Sequence, residues 1–261
     1  MNRIFAVVFA LTFVAQFNLL SAQTTVMKVW KNGEVTSSIS TADVDSVTFE
    51  TSDGVYLING HRFVDLGLPS GLLWAETNIG AETAADDGDY FAWGETTSKS
   101  SYSWSKYKYG QSSSNITKYN EADRKTVLDR EDDASYVNLG SSCRMPTVAE
   151  FCELVYSDNC TATWTCMKNS SDSIVNGYKI TSKKNGNSIF LPASGWYDAD
   201  NLYCYGSYGR YWTCEFYTTD LGSGIPEAAA NAYFFWLQDS GYVTSSCSRC
   251  LGYPVRPVAE P

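Results

Sequence analysis

Tyr178-Lys179-Ile180-Thr181-Ser182-Lys183-Lys184-Asn185-Gly186-Asn187-Ser188-Ile189-Phe190-Leu191 sets two β-forming runs on either side of an Asn-Gly pair. β-Branched and aromatic side chains suit a pleated, half-buried surface. Asn-Gly tolerates the positive φ values that tight hairpin turns require. The stretch therefore predicts an antiparallel hairpin, and the same chemistry recurs upstream. Val55 to Ile58 and His61 to Leu66 flank Asn59-Gly60, and Val26 to Trp30 runs into Asn32-Gly33. Downstream, Trp212, Cys214 and Phe216 alternate with Thr213 and Glu215, the pattern of a half-buried strand. Ala232 to Leu237 is apolar on both faces, which predicts a central strand. Tyr253 to Val258 holds Pro254 and Pro257, which places it at an edge or a sheet end.

Helices are few. Thr147 and Glu150 have capping-box spacing, and Val148, Phe151, Cys152 and Val155 follow at i, i+3, i+4 and i+7. A helix over Thr147 to Asp158 with that stripe buried is expected. Asp132 to Gly140 reads as a second, short helix with a glycine stop, and Ser98 to Asn115 as a long surface loop. The sum is an α+β domain dominated by antiparallel sheet, with about two short helices.

Residues 1–22 read as a secretory signal. Arg3 precedes an apolar run from Ile4 to Ala15, and Leu20-Ser21-Ala22 offers a cleavage site before Gln23. The apolar run is shorter than the roughly 20 residues of a spanning helix, and no later stretch is apolar enough to span. Residues 23–54 form a small β-hairpin module that Val44, Val47 and Phe49 are expected to close, and residues 55–261 form the main domain. An extracellular, surface or periplasmic location follows from the signal. The formal charge of −10 argues against nucleic acid and anionic membrane as partners. Eight cysteines in an exported chain suggest at least one disulfide, with connectivity left open. For Cys152, on the expected helix face, a buried free thiol is equally compatible.

Several motifs occur in order: Val64-Asp65-Leu66-Gly67-Leu68-Pro69-Ser70-Gly71, Gly88-Asp89-Tyr90-Phe91-Ala92-Trp93-Gly94-Glu95 and Arg144-Met145-Pro146-Thr147. Gly209-Arg210-Tyr211-Trp212 and Gly252-Tyr253-Pro254-Val255-Arg256-Pro257-Val258 complete the set. From His61 to Val258 the chain resembles the Fibrobacter succinogenes major paralogous domain of exported bacterial proteins. The resemblance implies a C-type-lectin-like fold, in which the first and last strands pair; here His61 to Leu66 would lie against Tyr253 to Val258. It implies no activity. The Glu-Pro-Asn or Gln-Pro-Asp calcium motif of true C-type lectins does not occur here.

No catalytic residues, metal ligands or cofactor are expected. The single histidine, His61, sits at a hairpin turn without a nucleophile motif. Cys247-Ser248-Arg249-Cys250 is a C-x-x-C element outside any βαβ setting, which favours a structural over a redox role. The acidic runs Asp86-Asp87-Gly88-Asp89 and Asp129-Arg130-Glu131-Asp132-Asp133 lack EF-hand spacing and read as solvated loop charge. The most suggestive segment is Trp196 to Tyr211. Trp196, Tyr197, Asp198, Asp200, Tyr203, Tyr205 and Tyr208 are the expected ligand-binding residues. Rings beside carboxylates and amides suit sugars, and tyrosines on flexible backbone suit protein surfaces. The expected function is a non-catalytic module binding a glycan or a surface protein. The alternatives are an assembly subunit docking through the N-terminal hairpin and a carboxylate-based polysaccharide hydrolase.

Overall fold

The computed structural model describes residues 25–31, 34–43, 48–50, 54–120, 122–123, 125–217 and 230–261. The expected signal at 1–22, the Asn32-Gly33 turn and the expected closing residues Val44 and Val47 lie outside these. The chain divides into two compact units, residues 1–45 and 46–261. In the first, β1 (Val26–Lys31) pairs antiparallel with β2 (Glu34–Ser40).

The second unit opens with β3 (Thr48–Glu50), β4 (Val55–Ile58), β5 (His61–Asp65) and β6 (Leu73–Ala75). Three short strands follow in irregular chain, β7 (Tyr90–Phe91), β8 (Gly110–Ser112) and β9 (Asn115–Ile116). Next come α1 (Ala134–Leu139), β10 (Cys143–Arg144) and α2 (Val148–Val155). The remainder is strand: β11 (Cys160–Lys168), β12 (Ile174–Ser182), β13 (Ser188–Pro192), β14 (Trp196–Asp198) and β15 (Asn201–Tyr203). The last are β16 (Tyr208–Phe216), β17 (Asn231–Gln238), β18 (Gly241–Ser248), β19 (Tyr253–Pro254) and β20 (Val258–Ala259). All named pairings are antiparallel, and two α-helices occur among the described residues. The molecule is α+β and sheet-rich.

Local chemistry explains the elements read correctly. Asn59 (φ 51°) and Gly60 (φ 84°) make the β4–β5 turn from two positive-φ residues. Asp133 caps α1 by accepting from the Ser135 and Tyr136 amides, and Gly140 ends it at φ 102°. The α2 capping box is complete: Thr147 Oγ1 accepts from the Glu150 amide, and Glu150 accepts from the Thr147 amide. β17 lies between β16 and β18, the central position expected of it.

Three expectations are corrected. Residues 48–50 pair with β4 in the second unit and do not close the first. The buried face of α2 is Phe151, Leu154 and Val155, and Cys152 faces solvent. Residues 253–258 do not form one edge strand. They split around Val255-Arg256-Pro257 into β19, paired with β7, and β20, which lies inside a six-stranded sheet of order β10-β20-β6-β5-β4-β3. Consequently β5 does not pair with the last strand; β6 stands between them. One cross-strand row, Val55–Val64–Trp74–Val258–Arg144, runs through five of these strands, all but β3. No two of the eight cysteines lie at disulfide distance.

Two apolar clusters hold the unit together. In one, Phe151 of α2 packs on Trp74 (5.1 Å between ring centroids) and stacks on Phe235 (4.6 Å, 3° between planes). The helix thus joins the six-stranded sheet to the β16–β17–β18 sheet. Truncating so central a ring leaves a cavity costing about 3–5 kcal/mol. In the other, Trp212 stacks on Tyr253 at 4.1 Å, and the buried indoles of Trp93 and Trp212 donate to Thr213 O and Phe91 O. Arg256, fully buried, donates to Asn78 Oδ1 and to the carbonyls of Ala75, Glu76 and Phe190. Burial pulls its pKa down to about 10.

Candidate functional site

The β16–β17 register places Tyr208 opposite Gln238 and Arg210 opposite Trp236. Directly opposed residues project to the same face, and residues two apart on a strand share it. All four therefore lie on one face of the sheet, and the rings of Tyr208 and Trp236 meet at 5.6 Å. A groove of about 430 Å³ opens beside them, lined by Trp164, Asn176, Tyr208, Gln238, Asp239 and Ser240 together with Gly206 and Ser207. A smaller pocket of about 170 Å³ shares Gln238 and Ser240 and continues to Trp236, Tyr242 and Val243. The lining combines aromatic rings with two amides, a carboxylate and hydroxyls. Asn176 Nδ2 donates to Gly206 O at 3.0 Å, tying β12 to the loop before β16.

The expected binding residues separate into five places. Tyr208 lines the groove. Trp196 lies on the Arg210 guanidinium, 3.5 Å from ring centroid to Cζ, and stacks with the exposed ring of Tyr203 at 5.9 Å. Tyr205 is 46% exposed and its hydroxyl meets Asp87. Tyr197 turns inward, packing on Tyr90 and Tyr102, while its backbone exchanges two hydrogen bonds with Gly252. Asp198 and Asp200 flank Ala199 (φ 49°) and face solvent. Gly252 is required at that contact: a Cβ there would lie 2.7 Å from the Tyr102 ring.

Trp164, Asn176, Trp236, Gln238, Asp239 and Ser240 were not expected. Trp236 belongs to a strand read as apolar on both faces, yet it is half-open. The run Trp236-Leu237-Gln238-Asp239-Ser240-Gly241, a ring followed by polar turn residues, carried the missing signal. Tyr102, Tyr107 and Tyr109 of the expected surface loop are buried in the core.

The acidic runs are occupied by the protein's own groups. Asp129, Glu131 and Asp132 converge closely enough to suggest a cation, but the Lys118 ammonium sits 2.8, 3.6 and 2.5 Å from them. Burial alone would raise the Asp132 carboxyl; hydrogen bonds from Lys118, Tyr109, Tyr119 and Lys108 outweigh it and hold the pKa at about 2. Burial raises the Asp87 carboxyl, and the nearby Ser194 and Tyr205 hydroxyls partly offset that rise. Asp86 accepts from the amides and hydroxyls of Thr83 and Ser170, and despite burial these bonds lower its pKa. His61 is exposed at the start of β5. Cys250 is buried, and burial pushes its thiol up to about 12, so it is protonated at neutral pH.

Comparison with known proteins returns no matching family model, no similar curated protein and no similar solved structure.

Proposed function

We propose that this chain is an exported, non-catalytic binding module that recognises a glycan in the Trp164–Tyr208–Trp236 groove. The observation that carries the reading is the groove's composition. Aromatic faces stack on the apolar faces of sugar rings, and Asn176, Gln238, Asp239 and Ser240 supply donors and acceptors for hydroxyls. Tyr203, exposed on the stacked pair with Trp196, extends the aromatic surface. Among the described residues a single carboxylate, Asp239, lines the groove, whereas glycoside hydrolysis usually requires two facing acids. We assign the second unit to the C-type-lectin-like fold. In support, residues near both of its ends share one sheet, with Val64 and Val258 on either side of Trp74. The intervening β6 is the departure from the expected pairing.

The test is binding of the purified chain and of Trp164→Ala to a panel of oligosaccharides. The wild type is expected to bind, and the variant to lose about 1–3 kcal/mol, the usual scale for an aromatic stacking contact. Equal binding by the variant removes the groove from the account. The exposed Val26, Val35 and Ile39 of the β1–β2 hairpin favour a second reading, in which that hairpin docks on a partner protein. A stable partner lost on deleting residues 24–52 would support it.

A further inference from the structure

Building on the reading of the groove as a sugar site, we propose that Arg210, together with Trp236 Nε1, recognises a single acidic group on the bound glycan. The group is a carboxylate or a sulfate carried on an otherwise neutral chain.

Arg210 stands in an aromatic box. Its guanidinium carbon lies 3.5 Å from the centre of the Trp196 ring, 5.3 Å from Phe234, 5.7 Å from Tyr253 and 5.9 Å from Trp236. Among the described residues no carboxylate lies within ion-pairing distance of it, whereas Arg62 and Arg144 each have a glutamate. Its one hydrogen bond runs from Nη1 to Tyr253 Oη at 3.0 Å. Nε is buried with no acceptor, and so is the indole Nε1 of Trp236, the residue directly across the strand pair. Native proteins leave few buried donors unmatched. Here two unmatched donors and an unneutralised charge share the sheet face that carries Tyr208 and Gln238 of the groove.

The mismatch has a sign. Every unsatisfied group is a donor, so the missing partner is an acceptor, and the guanidinium charge calls for an anionic one. The planar fork of arginine matches two oxygens of a carboxylate or sulfate, and such charge-assisted bonds are roughly twice as strong as neutral ones. A sugar hydroxyl could satisfy one donor but would leave the charge unopposed. A polyanion is the wrong shape of charge. Asp239 lines the groove, Asp198 and Asp200 stand exposed beyond Trp196, and the chain carries −10 overall. Repeated negative charges would be repelled by these groups. One acid on a neutral oligosaccharide places its charge at Arg210 and its remaining rings along the groove.

The experiment is isothermal titration of the purified protein with two matched sets of sugars. The first is lactose with its sialylated and sulfated derivatives, which separates carboxylate from sulfate. The second is cellobiose with its uronic acid, which changes the backbone. The quantity read is the ratio of acidic to neutral affinity within a set. The expected ratio is about tenfold or more in at least one set, the scale of one charge-assisted hydrogen bond. Arg210→Gln is expected to bring the ratio to about one, and Trp236→Phe, which keeps a ring and removes the N–H, to lower it several-fold. A ratio near one in the wild type overturns the inference and leaves the groove reading standing. A ratio preserved in Arg210→Gln, with all affinities falling together, also overturns it, because Arg210 then only braces the fold. If Arg210→Gln fails to fold, an unchanged ratio in Trp236→Phe has the same force. Binding of no sugar in either set overturns the groove reading, and the inference with it.

Discussion

Replacing Asp132 by asparagine probes a concentrated cluster of charges and hydroxyls. The Asp132 carboxylate is 1% exposed, accepts the hydroxyls of Tyr109 and Tyr119, and pairs with Lys118 at 2.5 Å and Lys108 at 3.1 Å. A folded-state pKa of about 2, against 3.8 for an ordinary aspartate, favours the ionised form by roughly 2.5 kcal/mol. Asparagine keeps the volume but turns one acceptor into a donor facing donors. Lys108 is half-exposed and can return to water, which limits the loss. The expected cost is about 2–3 kcal/mol, or roughly 5–10 °C in Tm for a unit of this size. Urea unfolding followed by tryptophan fluorescence measures it as a lower midpoint with an unchanged slope. The pH dependence has a fixed sign. A depressed carboxyl pKa adds stability that is complete above the unfolded value of about 3.9 and is lost as pH falls through about 2. The gap between wild type and Asp132→Asn should therefore narrow over that interval. A variant within about 0.5 kcal/mol of wild type at neutral pH, or a gap independent of pH, refutes the reasoning.

Gly252→Ala should destabilise by about 1–3 kcal/mol, the usual cost of overpacking, because its Cβ would meet a Tyr102 ring held by its bond to Tyr90 O. An unchanged melting curve contradicts that. Thr147→Ala removes the α2 cap and should cost about 1 kcal/mol in urea unfolding; no loss would mean the capping box is not formed in solution. Thiol titration should count eight free thiols in the unfolded chain, and in the native chain the exposed Cys166 and Cys204 should react first, ahead of Cys152, which is also exposed but whose thiol pKa is raised by partial burial. Cys143, with its thiol pushed up to about 11, and Cys250 should resist. Fewer than eight on unfolding would reveal a disulfide.

Features set by neighbours in sequence were legible. The β4–β5 turn, the caps of α1 and α2 and the central strand β17 follow from Asn59-Gly60, Asp133 with Gly140, the Thr147–Glu150 box and a continuous apolar run. What tertiary packing decides was not. The α2 stripe rotates from Cys152 to Leu154 because the helix must present Phe151 to Trp74 and Phe235 at once. The prolines near the end suggested an edge, yet Pro254 and Pro257 flank a break that lets β20 enter between β6 and β10. The aromatic segment was recognised, but its residues do not act as one surface. β14–β15 is pinned through Tyr197 and Ala199 to Gly252 and Tyr102, which sends Tyr197 inward and Asp198 and Asp200 outward. The groove itself needs Trp164, Tyr208 and Asp239 from three parts of the chain, a juxtaposition that only strand register creates.

The most direct measurement of sugar binding in the groove uses the indole N–H signals of the tryptophans in a two-dimensional NMR titration. The titrant is the tightest-binding oligosaccharide of the panel. The account predicts that the signals of Trp164 and Trp236 move, while those of the buried Trp74, Trp93 and Trp212 stay in place. Saturable binding that leaves both Trp164 and Trp236 unmoved would contradict it.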